Sequence, residues 1–124
     1  MTRTVLFVCL HGAAKSRLAA AFFNAAAPAG WRATSAGLEP QAAVSANAVR
    51  LLAGSHAEAL LDRDPPRSMA AVQAPDRVVA IDCDAPGADR WDLRPQELSE
   101  VMRDDIRARA EALAQSINGS GRRA

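Results

Sequence analysis

The chain has 124 residues, 49% of them hydrophobic, and its 15 basic against 14 acidic side chains leave a formal net charge of +1. A chain of this size and balance is expected to form one domain with its own core, without help from disulfides or metals. The near-neutral charge argues against a nucleic-acid partner and against a polybasic membrane-binding protein. Lys15 is the only lysine, because every other basic residue is an arginine.

The two cysteines, Cys9 and Cys83, are too few for the disulfide framework of a small secreted protein. No signal segment precedes the first apolar run, and no apolar stretch reaches the roughly 20 residues that cross a bilayer. These features predict a cytoplasmic protein whose two thiols stay reduced and available for chemistry. The histidines and cysteines are not spaced as a metal site, and no cofactor is expected.

The first thirty residues are predicted to form a strand, a tight loop and a helix. Residues 4–9 are a continuous apolar run, which is typical of a strand buried on both faces. After the loop, apolar residues recur at helical spacing, with Ser16 as the predicted N-cap. Pro28 and Gly30 are expected to end this helix.

The remaining elements repeat this alternation. Strands are predicted at residues 31–36, 77–81 and 90–93, and a second helix at residues 45–53 with Val49 and Leu52 inward. One helical turn near residues 68–72 interrupts an irregular segment. After Pro95 a long helix runs to Asn118 and Gly119, with a predicted buried stripe of Leu98, Val101, Met102, Ile106, Ala110, Leu113 and Ile117.

Alternating strands and helices indicate an α/β fold with a parallel sheet. One domain is expected to cover residues 1–118, with a disordered tail at residues 119–124. Ligands bind such sheets at the carboxyl ends of the strands, beside the point where the strand order reverses. Cys9 ends the first predicted strand and is therefore a candidate site residue.

The loop after Cys9 has the features of an oxyanion site. Five residues separate Cys9 from Lys15 and Ser16, which open the next helix. Small residues allow consecutive backbone N–H groups to face one concavity, and the helix N-terminus adds about half a positive charge. Cys9 is the predicted nucleophile, with Ser16 hydrogen-bonded to its sulfur when the sulfur leaves. The predicted oxyanion-binding residues are Leu10, His11, Gly12, Ala13, Ala14 and Lys15.

This pattern resembles the phosphate loop of the low-molecular-weight protein tyrosine phosphatases, a family that includes the thioredoxin- and mycothiol-linked arsenate reductases. Their loop reads Cys-x5-Arg-Ser/Thr. Residues 34–37 with Pro40 resemble the family's Ser-Ala-Gly segment, and residues 77–83 its third strand. Residues 90–95 and the last helix are similar to its closing portion. The resemblance implies a four-stranded parallel sheet of order 2-1-3-4 flanked by helices.

The loop departs from the family pattern at two positions. Lys15 stands where the family has arginine, so a point charge replaces a planar fork that grips two oxygens. The loss of one charge-assisted hydrogen bond in the transition state would cost about 1.5–3 kcal/mol, on the order of 10- to 150-fold in rate. Gly12 replaces the usual asparagine, and it can adopt the same left-handed backbone but supplies no side-chain hydrogen bonds.

The acid that protonates the leaving group in the phosphatases is also altered. The residue before Pro95 is Arg94, so Asp92, or else Asp89, is the candidate general acid. Without an acid, hydrolysis of alkyl esters would lose about 10²- to 10⁴-fold. The tyrosine phosphatases have aromatic walls around the entrance to the site, whereas residues 38–45 contain no aromatic residue and the chain has no tyrosine, which argues against a phosphotyrosine protein as substrate.

Cys83 falls where the arsenate reductases of the family hold the thiol that attacks the first cysteine's arsenic adduct. The third cysteine of the thioredoxin-linked enzymes is missing, which leaves a two-cysteine route or an external thiol reductant. Three functions therefore stay open. They are a cysteine-dependent phosphate monoester hydrolase, an arsenate reductase that uses Cys9 with Cys83 or an external thiol, and a catalytically weak oxyanion-binding regulator.

Overall fold

The computed structural model describes residues 2–94 and 97–121, and side chains up to residue 118. Pro95 and the predicted tail residues 122–124 lie outside the described residues. The strands are β1 (Arg3–Cys9), β2 (Trp31–Gly37), β3 (Arg77–Ile81) and β4 (Asp89–Trp91). The helices are α1 (Lys15–Ala26), α2 (Ala46–Leu52) and α3 (Glu100–Gly121), with short 3₁₀ turns at Glu58–Leu60 and Met69–Ala71.

The four strands form one sheet in the order β2-β1-β3-β4, and every neighbouring pair is parallel. This confirms the predicted fold. In the register of the sheet, Cys9 is paired with Gly37 at the carboxyl ends of β1 and β2. The order reverses between β1 and β3, so the loop after Cys9 begins at the switch point of the sheet.

The two faces of β1 contribute to two separate apolar clusters because side chains alternate along a strand. Val5, Phe7 and Cys9 belong to the main core, which they share with α1 and the buried face of α3. Leu6 and Val8 belong to a smaller cluster on the other face. The nucleophile candidate therefore lies on the face that α1 covers.

Three local predictions are wrong. Ser16 is not the N-cap of α1: Ala14 occupies that position, and the Ser16 hydroxyl contacts the thiol of Cys9 instead. Val101 is 63% exposed, because the face of α3 that packs on the core is the adjacent one, which carries Met102 and Ile106. The helix α3 also continues to Gly121, past its predicted end at Asn118 and Gly119.

Asn24 and Arg67 cover the outer edge of β2 with hydrogen bonds. The amide of Asn24 both donates to the carbonyl of Ala33 and accepts from its N–H group. Arg67 donates to the carbonyl of Ser35 and accepts from the N–H group of Gly37 through its own carbonyl. These contacts occupy backbone groups that would otherwise pair with another strand.

Among the described residues, no helix is long and apolar enough to cross a membrane.

The loop after Cys9 packs directly on the end of β2. Gly12 has a φ of +65°, and a Cβ there would lie 2.6 Å from the backbone nitrogen of Gly37. A Cβ on Gly37 would lie 2.5 Å from the carbonyl carbon of His11. Two glycines thus let the two backbones touch, which fixes the height of the loop above the sheet.

We expect Gly12→Ala to lower the free energy of unfolding by more than its left-handed backbone alone would cost. That strain costs about 1–2 kcal/mol, and the contact with Gly37 adds about 1–3 kcal/mol. Gly54→Ala is the matched control, because Gly54 has a φ of +79° and nothing within 4 Å of its Cβ position. Urea unfolding of both variants measures the difference. Equal losses would show that the contact with Gly37 is not restrictive.

Candidate functional site

A cavity of about 410 Å³ opens at the carboxyl ends of β1 and β3. The loop after Cys9 forms one wall, and the end of β3 forms another. The described residues that line it are Cys9, Leu10, His11, Ala13, Ala14, Lys15, Gln41, Ser45, Ile81, Asp82 and Leu98. The structure thus brings the predicted nucleophile and the predicted cation into one cavity.

The backbone carbonyls of the loop are all bound from outside it. Those of Cys9, Leu10, His11 and Ala13 accept hydrogen bonds from backbone N–H groups of the segment 38–45, at 2.7 to 3.2 Å. The carbonyl of Gly12 accepts from the Nε of Arg17 at 2.9 Å. Five consecutive carbonyls are therefore anchored to the surrounding fold.

This anchoring sets the direction of the loop's N–H groups. A trans peptide bond directs its C=O and N–H in opposite directions. Since the carbonyls of residues 9–13 point outward, the N–H groups of residues 10–14 point inward. Consecutive N–H groups that converge at a helix N-terminus form a concavity suited to an anion.

The thiol of Cys9 is buried at the base of the loop. Its Sγ lies 3.2 Å from the Oγ of Ser16, with the thiol as donor. When the sulfur is a thiolate, the hydroxyl becomes the donor and stabilises the negative charge. Ser16 is itself fully buried in the first turn of α1, so its hydroxyl is held beside the sulfur.

Lys15 forms an ion pair that the sequence did not indicate. Its Nζ lies 2.7 Å from the Oδ2 of Asp82, whose side chain is 7% exposed. Asp82 directly follows β3, and a polar residue at the carboxyl end of a central strand was the available signal for it. Both members of the pair line the cavity.

The backbone at Asp82 is unusual. Its φ is +53°, in the left-handed region that favours glycine. The conformation is held by hydrogen bonds on both sides: the N–H group of Asp82 donates to the carbonyl of Trp91, and its Oδ1 accepts from the N–H group of Leu93. A strained residue held in this way at a cavity is a candidate for function.

Asp92 and Asp89 lie elsewhere. Asp92 is exposed and pairs with Arg90 at 2.7 Å, and Asp89 is exposed and pairs with Arg77 at 3.4 Å. Neither carboxylate is part of the cavity wall. The two candidate acids are therefore not brought to Cys9. Trp91, between them in the chain, packs on Phe7 with ring centroids 5.4 Å apart.

Cys83 is likewise not part of the cavity wall. Its side chain packs against the cluster of Leu6 and Val8, on the face of the sheet opposite to that of Cys9. Its thiol donates to the carbonyl of Val8 at 3.5 Å. Burial and the nearby charge of Cys9 raise the pKa of the Cys83 thiol, which lowers its thiolate fraction. Both cysteines are free.

The helical spacing of the sequence predicts that Arg17 lies on the exposed side of α1, and this prediction is wrong, because Arg17 is 1% exposed. Its guanidinium bridges from the loop carbonyl of Gly12 to Asp62, donating to the Asp62 carbonyl at 2.6 Å and lying 3.5 Å from its Oδ1. Burial lowers the pKa of Arg17, and the charge of Asp62 opposes that shift. Helical periodicity could not reveal this, because the partners of Arg17 come from a distant irregular segment.

Asp62 joins Arg17 to a second arginine. Its Oδ2 lies 2.7 Å from Arg67, which also binds the end of β2. Burial acts to raise the pKa of Asp62, but hydrogen bonds from Arg67 and the Asp64 backbone and the two arginine charges outweigh it. The pKa therefore lies below its ordinary value of 3.8.

The remaining candidates have minor positions. His11 is exposed at the rim of the cavity, with its Nδ1 3.2 Å from the carbonyl of Glu39. Gln41, Ser45 and Leu98 line the cavity and were missed as site residues, because each lies on a segment that only the folded chain brings there. Within residues 2–94 and 97–121, no group of three His, Cys, Asp or Glu side chains could hold a metal ion.

A second and larger cavity, of about 690 Å³, surrounds the outer edge of β2. Its polar walls include Asp62 and Arg67, which already pair with each other, and neither cysteine lines it. The candidate nucleophile Cys9 and residues of its loop line the smaller cavity instead.

Residues 4–103 match the family model for low molecular weight phosphotyrosine protein phosphatases. The chain belongs to this family. The match includes β1, the loop and the ends of both central strands, so it covers every wall of the cavity described above. A search of curated proteins returned no significant match.

Solved structures of the family agree with this assignment. An arsenate reductase from Archaeoglobus fulgidus is 31% identical over 93% of this chain and 98% of that one, with a TM-score of 0.65. A thioredoxin-dependent arsenate reductase from Corynebacterium glutamicum is 24% identical, with a TM-score of 0.75, over 96% of this chain and 63% of that one. A low molecular weight protein tyrosine phosphatase from T. tengcongensis is 19% identical, with a TM-score of 0.65, over 96% of this chain and 99% of that one.

We expect Asp62→Asn to destabilise the protein at neutral pH by about 1–2 kcal/mol, allowing for the partly exposed carboxylate. The pKa of Asp62 is lower in the folded than in the unfolded protein. The ionised carboxylate therefore adds to the free energy of unfolding at pH values above the ordinary carboxylate pKa, and this addition is lost as the pH falls through the pKa of the folded state. Urea unfolding between neutral pH and pH values below 3.8 should therefore show the variant and wild type converging in acid.

Asp104→Asn is the control, since Asp104 is exposed and, within the described part of the chain, its ion pair is with its neighbour Arg103. It should leave the free energy of unfolding nearly unchanged. A difference between Asp62→Asn and wild type that stays constant down to the most acidic pH would contradict the assigned ion pair.

Proposed function

We propose that the chain is an arsenate reductase in which Cys9 is the nucleophile and an external thiol is the reductant. The observation that carries the proposal is the composition of the cavity. It joins Cys9, inward N–H groups and Lys15, while the carboxylates of Asp89 and Asp92 lie outside it. The family relative at 31% identity is an arsenate reductase, which supports the same choice.

The first step needs no dedicated acid. The Cys9 thiolate attacks arsenic, a sulfur–arsenic bond forms, and one hydroxyl of arsenate leaves as water after taking a proton from solvent. The N–H groups of residues 10–14 and the start of α1 hold the remaining oxygens. Lys15 adds the positive charge, and Ser16 donates to the sulfur while it is a thiolate.

The second step reduces arsenic. A thiol attacks the sulfur of Cys9, a disulfide forms between the two sulfurs, and the electron pair of the sulfur–arsenic bond passes to arsenic. Arsenic(V) becomes arsenic(III) and leaves as arsenite. A second thiol then reduces the mixed disulfide and restores Cys9, so two thiols are oxidised for each arsenate.

An external thiol is favoured over Cys83 by three observations. Cys83 packs on the opposite face of the sheet, its thiol is bound to the carbonyl of Val8, and burial raises its pKa. Each of these makes it a weaker nucleophile toward Cys9. A low-molecular-weight thiol or a thiol protein of a reducing cytoplasm would supply the electrons.

Hydrolysis of phosphate monoesters is the second candidate. The family model and the Cys9–Ser16 contact favour it, because phosphorus is attacked by the same thiolate in the same loop. Asp82, on the cavity wall, is paired with Lys15, and Asp89 and Asp92 lie outside the cavity, so this activity is expected mainly on aryl phosphates whose leaving groups need no proton.

We expect wild type to oxidise thiol in proportion to added arsenate, and Cys9→Ser to abolish this activity. Cys83→Ser should keep its rate within about threefold, since the reductant comes from solution. The assay follows arsenite formation with a small thiol in excess. Cys83→Ser is also the matched control for loss of a thiol.

Two results would contradict the proposal. Loss of arsenite formation in Cys83→Ser with an intact fold would establish the two-cysteine route. A wild-type protein that hydrolyses aryl phosphates and forms no arsenite with any thiol tested would establish the hydrolase instead.

A further inference from the structure

Asp82 puts a negative charge into the wall of a cavity suited to an anion. Its side chain is nearly buried, and it lines the cavity together with Cys9 and Lys15. Lys15 and the N–H group of Leu93 both donate to it. The cation of the loop is therefore already balanced by a carboxylate before any ligand enters.

The ionised form of Asp82 decides what this side chain can do. An ionised carboxylate is a hydrogen-bond acceptor only, and each of its oxygens can accept more than one hydrogen bond. A ligand oxygen that carries a proton can donate to it. A ligand oxygen without a proton meets a charge of its own sign at close range, which costs binding energy.

We propose that Asp82 selects oxyanions that keep a hydroxyl group at the pH of the cell. This inference rests on the proposed function and names its substrate class more closely. Inorganic arsenate and phosphate keep one hydroxyl even as dianions, so they can donate to Asp82. Sulfate carries no proton, and a phosphate monoester above its second pKa, near 6, carries none either.

The backbone of Asp82 supports a selective role. Its φ of +53° would suit glycine, yet the position holds a side chain that reaches the cation of the loop. The same carboxylate would disfavour the dianions of phosphate monoesters relative to arsenate. Selection by Asp82 therefore directs the loop toward inorganic oxyanions.

The test is the affinity of the protein for phosphate, sulfate and phenyl phosphate by calorimetry at mildly alkaline pH, where all three are dianions. Wild type should bind phosphate at least about tenfold more tightly than the other two. Asp82→Asn, whose amide can also donate, should raise the affinity for sulfate by about tenfold or more while changing that for phosphate much less.

Two further variants complete the experiment. Asp82→Gly fits the left-handed backbone, so it removes the carboxylate without adding strain and should also abolish the discrimination. Asp84 follows Cys83 in the chain, and its side chain is 95% exposed. Asp84→Asn removes one charge there and should leave the preference for phosphate over sulfate and phenyl phosphate intact.

Equal affinity of wild type for phosphate and sulfate would overturn the inference. So would a parallel rise for all three ligands in Asp82→Asn, since Asp82 would then only compete for Lys15. The proposed function fails separately: wild type that discriminates as expected but forms no arsenite overturns the reductase and leaves the selection standing. No binding of any of the three anions overturns both.

Discussion

The hydrogen bonds that hold the five loop carbonyls outward are the constraint on which the site depends. They come from the segment 38–45 and from Arg17, so they exist only when the loop is seated on the end of β2. The contact between Gly12 and Gly37 permits that seating. Because each peptide unit is planar, fixing the carbonyls also fixes the N–H groups that face the cavity. In the proposed function, the fold thus preorganises a site for an oxyanion, and little reorganisation is left for the ligand to drive.

The ionic groups around this loop form two separate systems. Arg17, Asp62 and Arg67 connect the loop to the end of β2, and the two guanidinium groups share the one carboxylate of Asp62. Lys15 and Asp82 lie in the cavity itself. The first system holds the loop in place, while the second faces the cavity. A site with a paired cation relies on backbone N–H groups and the start of α1 for much of its attraction to an anion.

Much of this was predictable from the sequence, because it follows from local pattern. The apolar runs that became β1 and β3, the breaks at Pro28 and Gly30, and the position of Cys9 at a strand end all depend on neighbouring residues. The strand order came from the family resemblance and is confirmed. The error at Arg17 is caused by long-range contacts. Arg17 has the spacing of a surface residue, yet Asp62 and Gly12 bury it.

Asp82 shows the same limit within the site. The family resemblance predicts an acid among the residues before Pro95, and therefore Asp92 rather than Asp82. The pairing of Lys15 with a carboxylate 67 positions away depends on the neighbouring positions of β1 and β3 in the sheet. The sequence also could not show that Cys83 faces away from Cys9, since that depends on how the chain leaves β3.

The most direct test of the central claim is a backbone amide NMR titration of the reduced wild-type protein with phosphate. The loop geometry predicts that the largest amide shifts fall on residues 10–14 and on the first turn of α1, and that they saturate together. Saturating shifts centred instead on Arg32 and Arg67 at the edge of β2, with the loop amides unmoved, would contradict the claim that this loop is the oxyanion site.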